Sequence, residues 1–239
     1  MLKSNKYKYI FFDLDGTLLN LDTDELVSKY FKTLNEFFIK NGYDSKKVVA
    51  GIQSGIYAMI KNDGSISNEE ALTNAFMQAY PCDLDEFKTL MGRYYFEEFD
   101  KIKSIITFKK ETNLMIKKLK DNGYKLILAT NPLFPKIATY KRTLWAGLSP
   151  EDFEIITTYE KEYFAKPNIK YYESILNRIN VNPQDCIMVG NDAEEDMCAE
   201  KVGLDVFLIT TNLLNRKNKD ISNYKQGTLK DFENFIFKN

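Results

Sequence analysis

The chain has 239 residues, 44% hydrophobic and 28% charged, and its 33 Lys and Arg nearly balance 34 Asp and Glu for a formal net charge of −1. A chain this long buries roughly 70–75% of its unfolded surface, so one large domain or two unequal ones need no disulfide or metal staple. The balanced charge gives no electrostatic case for nucleic acid or an anionic membrane surface, and no apolar run approaches the ~20 residues of a membrane helix.

Histidine is absent. That removes Ser-His-Asp triads, Cys-His dyads and His-ligated zinc together, so acid–base or metal chemistry falls to carboxylates, lysine or backbone. Cys82, Cys186 and Cys198 have no metal-like spacing, and their odd number argues against a disulfide framework. A reduced cytoplasm is the expected setting. The segment Met1–Lys8 is polar and basic, and the apolar run behind it meets Asp13 almost at once, which is not the pattern of a signal peptide.

In chain order, Tyr7–Phe12 reads as a short strand rich in Tyr, Ile and Phe, ending at Asp13. From about Leu18 to Ser104 the pattern is helical throughout, with no convincing strand. Asp22 with Glu25 reads as a capping pair, followed by Leu26, Tyr30, Leu34, Phe37 and Phe38 at helical spacing, and Asn41-Gly42 stops the helix. Ser45 opens a second helix that ends at Asn62-Asp63-Gly64. Ser67 with Glu70 and Asp83 with Glu86 open two more. The aromatic residues of this bundle are expected to form its core rather than a dimer surface.

The remainder alternates. A helix around Leu114–Leu119 stops at Asn122-Gly123, and strands are expected at Tyr124–Thr130, Phe153–Thr158, Cys186–Gly190 and Asp205–Ile209, with helices between them. Such alternation predicts a doubly wound, Rossmann-like parallel α/β sheet. The first strand is needed to complete that sheet, so the helical stretch is an insertion. The expected domains are a core of residues 1–17 and 105–239 and an all-helical cap of 18–104. Thr211–Gly227 reads as a loop, and a last amphipathic helix covers Thr228–Phe237.

Ligands of open α/β sheets bind at the carboxyl ends of the strands. At those ends stand Asp13-Leu14-Asp15-Gly16-Thr17, then Thr130-Asn131, then Lys166-Pro167, then Gly190-Asn191-Asp192 with Asp196 beyond. Singly, each has an ordinary explanation as a turn, a strand-end hydroxyl, a surface lysine or a helix cap. Together they form a set suited to phosphoryl transfer. Asp13 is placed to attack phosphorus, and Asp15 to protonate the leaving oxygen and then activate water. Gly16 permits a tight turn whose free N–H groups hold phosphate oxygens, so Gly16 and Thr17 are substrate-binding candidates. Thr130, Asn131 and Lys166 would neutralise the transferring group. A Mg²⁺ ion would reconcile the carboxylates with a phosphate dianion, held by Asp13, the Asp15 carbonyl and an acid of the fourth loop.

These four motifs, in this order, resemble those of the haloacid dehalogenase superfamily from about Lys6 to Ile209. The resemblance implies a Rossmann-like core with a helical cap between the first and second motifs. It also carries the nucleophile onto Asp13, the acid/base onto Asp15 and phosphate binding onto Thr130, Asn131 and Lys166. In the fourth motif Asn191 intervenes between Gly190 and Asp192, so either Asn191 or Asp192 fits the metal position. The ionised oxygen of Asp192 is favoured, with Asp196 a second ligand or an orienting partner of Lys166. Asp15 points to phosphate chemistry rather than carbon–halogen cleavage.

The expected function is Mg²⁺-dependent hydrolysis of a small phosphorylated metabolite by a monomer or homodimer. Two alternatives are a phosphomutase acting on a sugar phosphate and a non-enzymatic binding protein that keeps the fold. For a sugar phosphate, Arg93 is the one arginine in the cap able to anchor the substrate.

Overall fold

The computed structural model describes residues 6–238, so the first part of Met1–Lys8, and the start of the expected core segment, lie outside the described residues. Six strands form one sheet in the order β3-β2-β1-β4-β5-β6: β1 Tyr9–Phe12, β2 Lys125–Leu128, β3 Ile155–Ile156, β4 Cys186–Gly190, β5 Asp205–Ile209 and β6 Lys225–Gly227. Every neighbouring pair is parallel. This is the doubly wound α/β sheet that the alternation predicts. One strand is additional, because β6 emerges from a stretch expected to be loop throughout. Its sequence Lys-Gln-Gly is too short and polar to read as a strand, and pairing to β5 alone makes it one.

The central strand β1 is buried along its whole length, which explains its continuous apolar run where a half-exposed strand would alternate. Ile10 and Phe12 face one layer with Met115, Ile116 and Leu119 of α5 (Lys110–Asp121) and Phe232 and Ile236 of α8 (Leu229–Lys238). Tyr9 and Phe11 face the other, with Tyr171, Tyr172, Ile175 and Leu176 of α7 (Ile169–Ile179).

Between β1 and α5 the chain is entirely helical. It forms α1 (Thr23–Lys40), α2 (Ser45–Ile60), α3 (Asn68–Ala79) and α4 (Leu84–Arg93), then a π-helical turn at Tyr94–Glu98 and a 3₁₀ segment at Phe99–Ile105. The starts follow the capping chemistry. Asp22 accepts from the Glu25 N–H at 2.9 Å, Ser67 and Glu70 form a full capping box, and Asp83 accepts from the N–H groups of Asp85 and Glu86. In α2 the cap is Asp44, one residue before the expected Ser45; its carboxylate accepts from Lys47 N–H, which puts Ser45 inside the first turn.

Phe37, Phe38, Phe76, Phe87, Tyr94, Tyr95 and Phe99 are buried, in one apolar cluster with the α5–α8 face of the sheet. Phe96 points outward instead, 72% exposed. The helical layer is tied to the rest at several points. Phe99 stacks on Trp145 of α6 (Lys136–Trp145) with ring centres 5.3 Å apart. The N–H groups of Asn68 and Glu69 donate to the carbonyls of Glu162 and Tyr159 at 2.8 and 2.9 Å. Among the described residues no helix is long and apolar enough to cross a membrane.

Phe232 meets the ring of Phe12 edge-on at 5.6 Å and that of Phe207 at 5.3 Å, and so supports β1 directly behind Asp13. Phe232→Ala should lower stability by about 3–5 kcal/mol through lost transfer energy and an unfilled cavity, read from the urea midpoint at unchanged m-value.

Candidate active site

The strand order reverses direction between β1 and β4, and it is at such a point that the loops leaving the two strands diverge and open a crevice. Asp13 follows β1 and Asn191-Asp192 follow β4; the Asp13 N–H donates to Val189 carbonyl at 2.9 Å, so the two strand ends stay level. A cavity of about 230 Å³ opens here. Its core lining includes Asp13, Asp15, Thr130, Asn131, Asn191, Asp192 and Asp196, and its outer lining includes Thr23, Leu26 and Val27 of α1.

Lys166 does not itself line this crevice; its side chain is fully buried behind two of the lining acids. Its ammonium donates to Asp13 Oδ1 at 3.1 Å and to Asp196 Oδ1 at 2.6 Å. Burial alone would depress the lysine, but the Asp13 and Asp196 carboxylates outweigh it and hold the ammonium well above its ordinary range. Burial pushes the Asp13 and Asp196 carboxyls up, and Lys166 opposes that push. The second oxygen of Asp196 accepts from the Asp192 N–H at 2.9 Å. This approach needs Gly190: a Cβ there would sit 2.1 Å from Asp196 Oδ2.

Asp15 pairs with Arg142 of α6, whose side chain is only 1% exposed. The guanidinium also lies over the Phe134 ring, 4.3 Å from its centre, and donates to Thr139 Oγ1 at 3.3 Å. Asp15 Oδ1 is buried without a hydrogen-bond partner. Burial raises the Asp15 carboxyl above its ordinary value, against the pull of Arg142 and then Lys166.

The remaining expected residues divide. Thr130 lines the cavity, its carbonyl fixed by the hydroxyls of Thr157 at 2.7 Å and Tyr171 at 2.9 Å. Asn131 accepts from the Lys166 N–H at 3.2 Å and donates to Glu195 Oε2 at 2.9 Å. Gly16 adopts φ +83°, a left-handed turn, and a Cβ on it would meet Asn191 Nδ2 at 2.3 Å. Thr17 is buried and donates to Asn191 Oδ1 at 3.1 Å. Arg93 does not belong to the site. It is half exposed on α4, pairs with Glu97 at 3.6 Å and is absent from the cavity lining. Helical spacing sets that pair, because Glu97 lies one turn further on.

The fourth loop offers two metal-ligand candidates with different fates. Both ends of the Asn191 amide are engaged, its oxygen by Thr17 and its nitrogen by the Asn212 carbonyl at 2.6 Å. Asp192 accepts the N–H groups of Glu194 and Glu195 at one oxygen, both at 2.8 Å, and its other oxygen has only a 3.6 Å ion pair with Arg216. Asp196 has both oxygens committed, one to the Lys166 ammonium and one to the Asp192 N–H. Among the described residues no three or more Asp, Glu or Cys side chains meet as a metal-holding group. Magnesium commonly takes one or two protein carboxylates and keeps several waters, and Asp13 and Asp192 lining one cavity meet that smaller requirement.

Three lining or contacting groups escape a motif search. Arg142 has one signal, an arginine on the buried face of the helix after Thr130-Asn131. Glu195, next to Asp196, is pushed up to about 8 mainly by burial. Arg216, in the polar stretch before β6, pairs with Asp24 of α1 at 2.7 Å as well as with Asp192, a proximity with no local sequence signature.

The chain matches the haloacid dehalogenase-like hydrolases over residues 7–202. It belongs to that family, and it is therefore an enzyme of the hydrolase class. Among curated relatives, the bifunctional riboflavin kinase/FMN phosphatase of Arabidopsis thaliana is 25% identical over 202 residues, 84% of this chain and 48% of that protein. The chain thus spans about half of that two-activity relative. Pyrophosphatase PpaX of Bacillus mycoides (strain KBAB4) is 22% identical over 216 residues, 88% of this chain and 87% of that one. The crystal structure of a HAD phosphatase from Thermococcus onnurineus superposes with a TM-score of 0.58 at 22% identity, covering 96% of this chain and 97% of that one. That likeness shows the shared fold.

Replacing Lys166 by Met would leave Asp13 and Asp196 buried without their cation. A loss of about 3–5 kcal/mol is expected in the metal-free protein. Without Lys166 both acids titrate still further above their unfolded values. Stability should therefore fall as pH rises from about 4, and the loss at pH 8 should exceed that at pH 5. Urea unfolding of both proteins at the two pH values checks the sign.

Proposed function

We propose that this hydrolase releases inorganic phosphate from a small phosphomonoester through an aspartyl-phosphate on Asp13. The observation that carries the reading is the buried Lys166 ammonium, 3.1 Å from Asp13 and 2.6 Å from Asp196, at the sheet edge where the chain also presents Asp15 and Thr130. In the first step an Asp13 carboxylate oxygen attacks phosphorus and the bond from phosphorus to the leaving oxygen breaks. Asp15 gives its proton to that oxygen. In the second step water attacks the acyl phosphate, Asp15 takes the water's proton, and Asp13 is restored as phosphate departs. Lys166 and the Thr130 hydroxyl neutralise charge on the transferring oxygens; the Gly16 and Thr17 N–H groups, expected to be free for this, instead donate to the carbonyls of Leu19 and Leu14 at 2.9 and 3.2 Å and close the turn.

The Asp13 and Asp192 side chains and the Asp15 carbonyl would hold Mg²⁺, with waters and phosphate oxygens as its other ligands. Bound there, it would supply the positive charge that lets a phosphate dianion approach two carboxylates. Asn191 then shapes the turn by its bonds to Thr17 and Asn212 rather than meeting the ion.

The environment of Asp15 supports its role. A general acid must be protonated near neutral pH, and burial raises Asp15 in that direction while Arg142 restrains it. We assign residues 18–104 as a cap that covers the site and helps exclude water. A mutase would need a further anchor for its sugar phosphate, and Arg93 is not among the residues lining the cavity, so hydrolysis is preferred.

Phosphate release from p-nitrophenyl phosphate and a phosphomonoester panel should require added Mg²⁺ and vanish with a chelator. Asp13→Asn should lower kcat by at least about 10³-fold. Mg²⁺-supported release that survives in Asp13→Asn would overturn the covalent route.

Arg142→Gln removes the group that holds Asp15 down, so Asp15 should keep its proton to higher pH. Activity that requires the protonated acid declines as pH rises through that pKa. The declining limb of kcat/KM against pH should therefore move upward in the variant. An unmoved limb separates Asp15 from the titration.

A further inference from the structure

Next to the acid cavity lies a larger one of about 460 Å³, within the ordinary range of small-molecule sites. The two cavities share Val27, Leu133 and Phe134 as lining, so the second adjoins the place where a leaving group would depart from phosphorus. Its walls come from α1 to α4 on one side and from the stretch after Asn131 on the other.

What lines this space decides what it can hold. Most of the wall is apolar, with Ile52, Ile56, Leu72, Phe76 and Met91 from three helices. Gln53, Thr73 and Tyr159 add three polar side chains to the lining, and the remaining polar side chains are paired. Lys88 pairs with Glu69 at 3.6 Å, and the hydroxyls of Tyr30 and Tyr95 meet at 3.0 Å. Arginine is missing from the lining, so a second phosphate meets no free guanidinium. Close-packed interiors leave few voids larger than a water molecule. A space this size, walled by hydrocarbon and open toward the chemistry, has the features of a built receptacle.

We propose that the phosphate ester cleaved at Asp13 carries an apolar leaving group, an alkyl chain or aromatic ring, that lodges in this cavity. The assignment rests on the phosphatase reading for where the phosphate sits. Small polar esters would hydrate the space without filling it, and each buried methylene of an apolar ester would displace water from hydrocarbon walls.

The test uses the full chain with Mg²⁺ and a series of non-hydrolysable phosphonates, from methylphosphonate to hexylphosphonate, titrated by calorimetry. Burial should tighten binding by about fourfold per methylene, making hexylphosphonate at least about 50-fold tighter than methylphosphonate if most of the chain is buried. A gain below about fivefold overturns the proposal. Thr73→Trp on α3 and Met91→Trp on α4 each fill the cavity from a different side, and each should cancel the chain-length gain. If either variant, folded by its unfolding transition, keeps the gain, the chain binds elsewhere and the proposal fails.

Hydrolysis of methyl and hexyl phosphate keeps the two readings apart. Equal release from both, lost in Asp13→Asn, sinks the apolar subsite and leaves the phosphatase. A chain-length gradient in phosphonate binding with no phosphate release supports the subsite and sinks the phosphatase.

Discussion

A buried lysine ammonium ties the acids of the crevice together. Lys166 has no exposed side-chain surface and stands between Asp13 at the end of β1 and Asp196 beyond β4. Desolvating three ionic groups is costly, and their mutual attraction offsets that cost only when the geometry is close and the remaining oxygens are hydrogen-bonded. Asp196 meets that condition, its other oxygen taking the Asp192 N–H, and the Lys166 backbone is held by its N–H donating to Asn131. Three loops from three strand ends are thereby drawn onto one ammonium. Gly190 follows from the same constraint, since any side chain there would collide with Asp196.

The second ion pair extends outward. Arg142 links Asp15 to the helical layer through its contact with Phe134, whose ring lies 5.2 Å from Tyr30 of α1 and 6.2 Å from Phe99. Asp15, the proposed acid/base, is thus buttressed by the same aromatic cluster that packs the helices. Arg216 makes a more exposed connection between Asp24 and Asp192, and solvent and salt screen such a pair strongly. Of these two connections the first is buried and backed by aromatic rings, and the second is exposed and polar.

The two cavities differ because their surroundings differ. Strand ends present backbone and short polar side chains, which suit a charged, transferring group. The inward faces of amphipathic helices present hydrocarbon, so the space they enclose favours apolar matter. On the proposed reading, chemistry is kept on the sheet and selectivity on the helices.

Much of this was legible in the sequence for physical reasons that act locally. The alternation of apolar strands and helices implied a parallel sheet, and Asp22, Ser67 and Asp83 marked helix starts by the backbone N–H groups they satisfy. Asp13, Asp15, Thr130 and Lys166 stood out because strand ends are where an α/β sheet exposes its ligands. What depended on distant parts of the chain stayed hidden. No local pattern shows that Arg142 reaches Asp15 across 127 positions, that Arg93 turns to Glu97 instead of the cavity, or that Lys225–Gly227 completes the sheet. That Thr17 and Asn212 occupy both ends of the Asn191 amide was likewise hidden. The sequence by itself determined the helices, the five apolar strands and the motif residues, since helix caps, strand burial and residue chemistry depend on neighbours along the chain. Tertiary structure alone decided which charges pair, which oxygens stay free and where an apolar cavity adjoins them, because those depend on distances that only the packed chain defines.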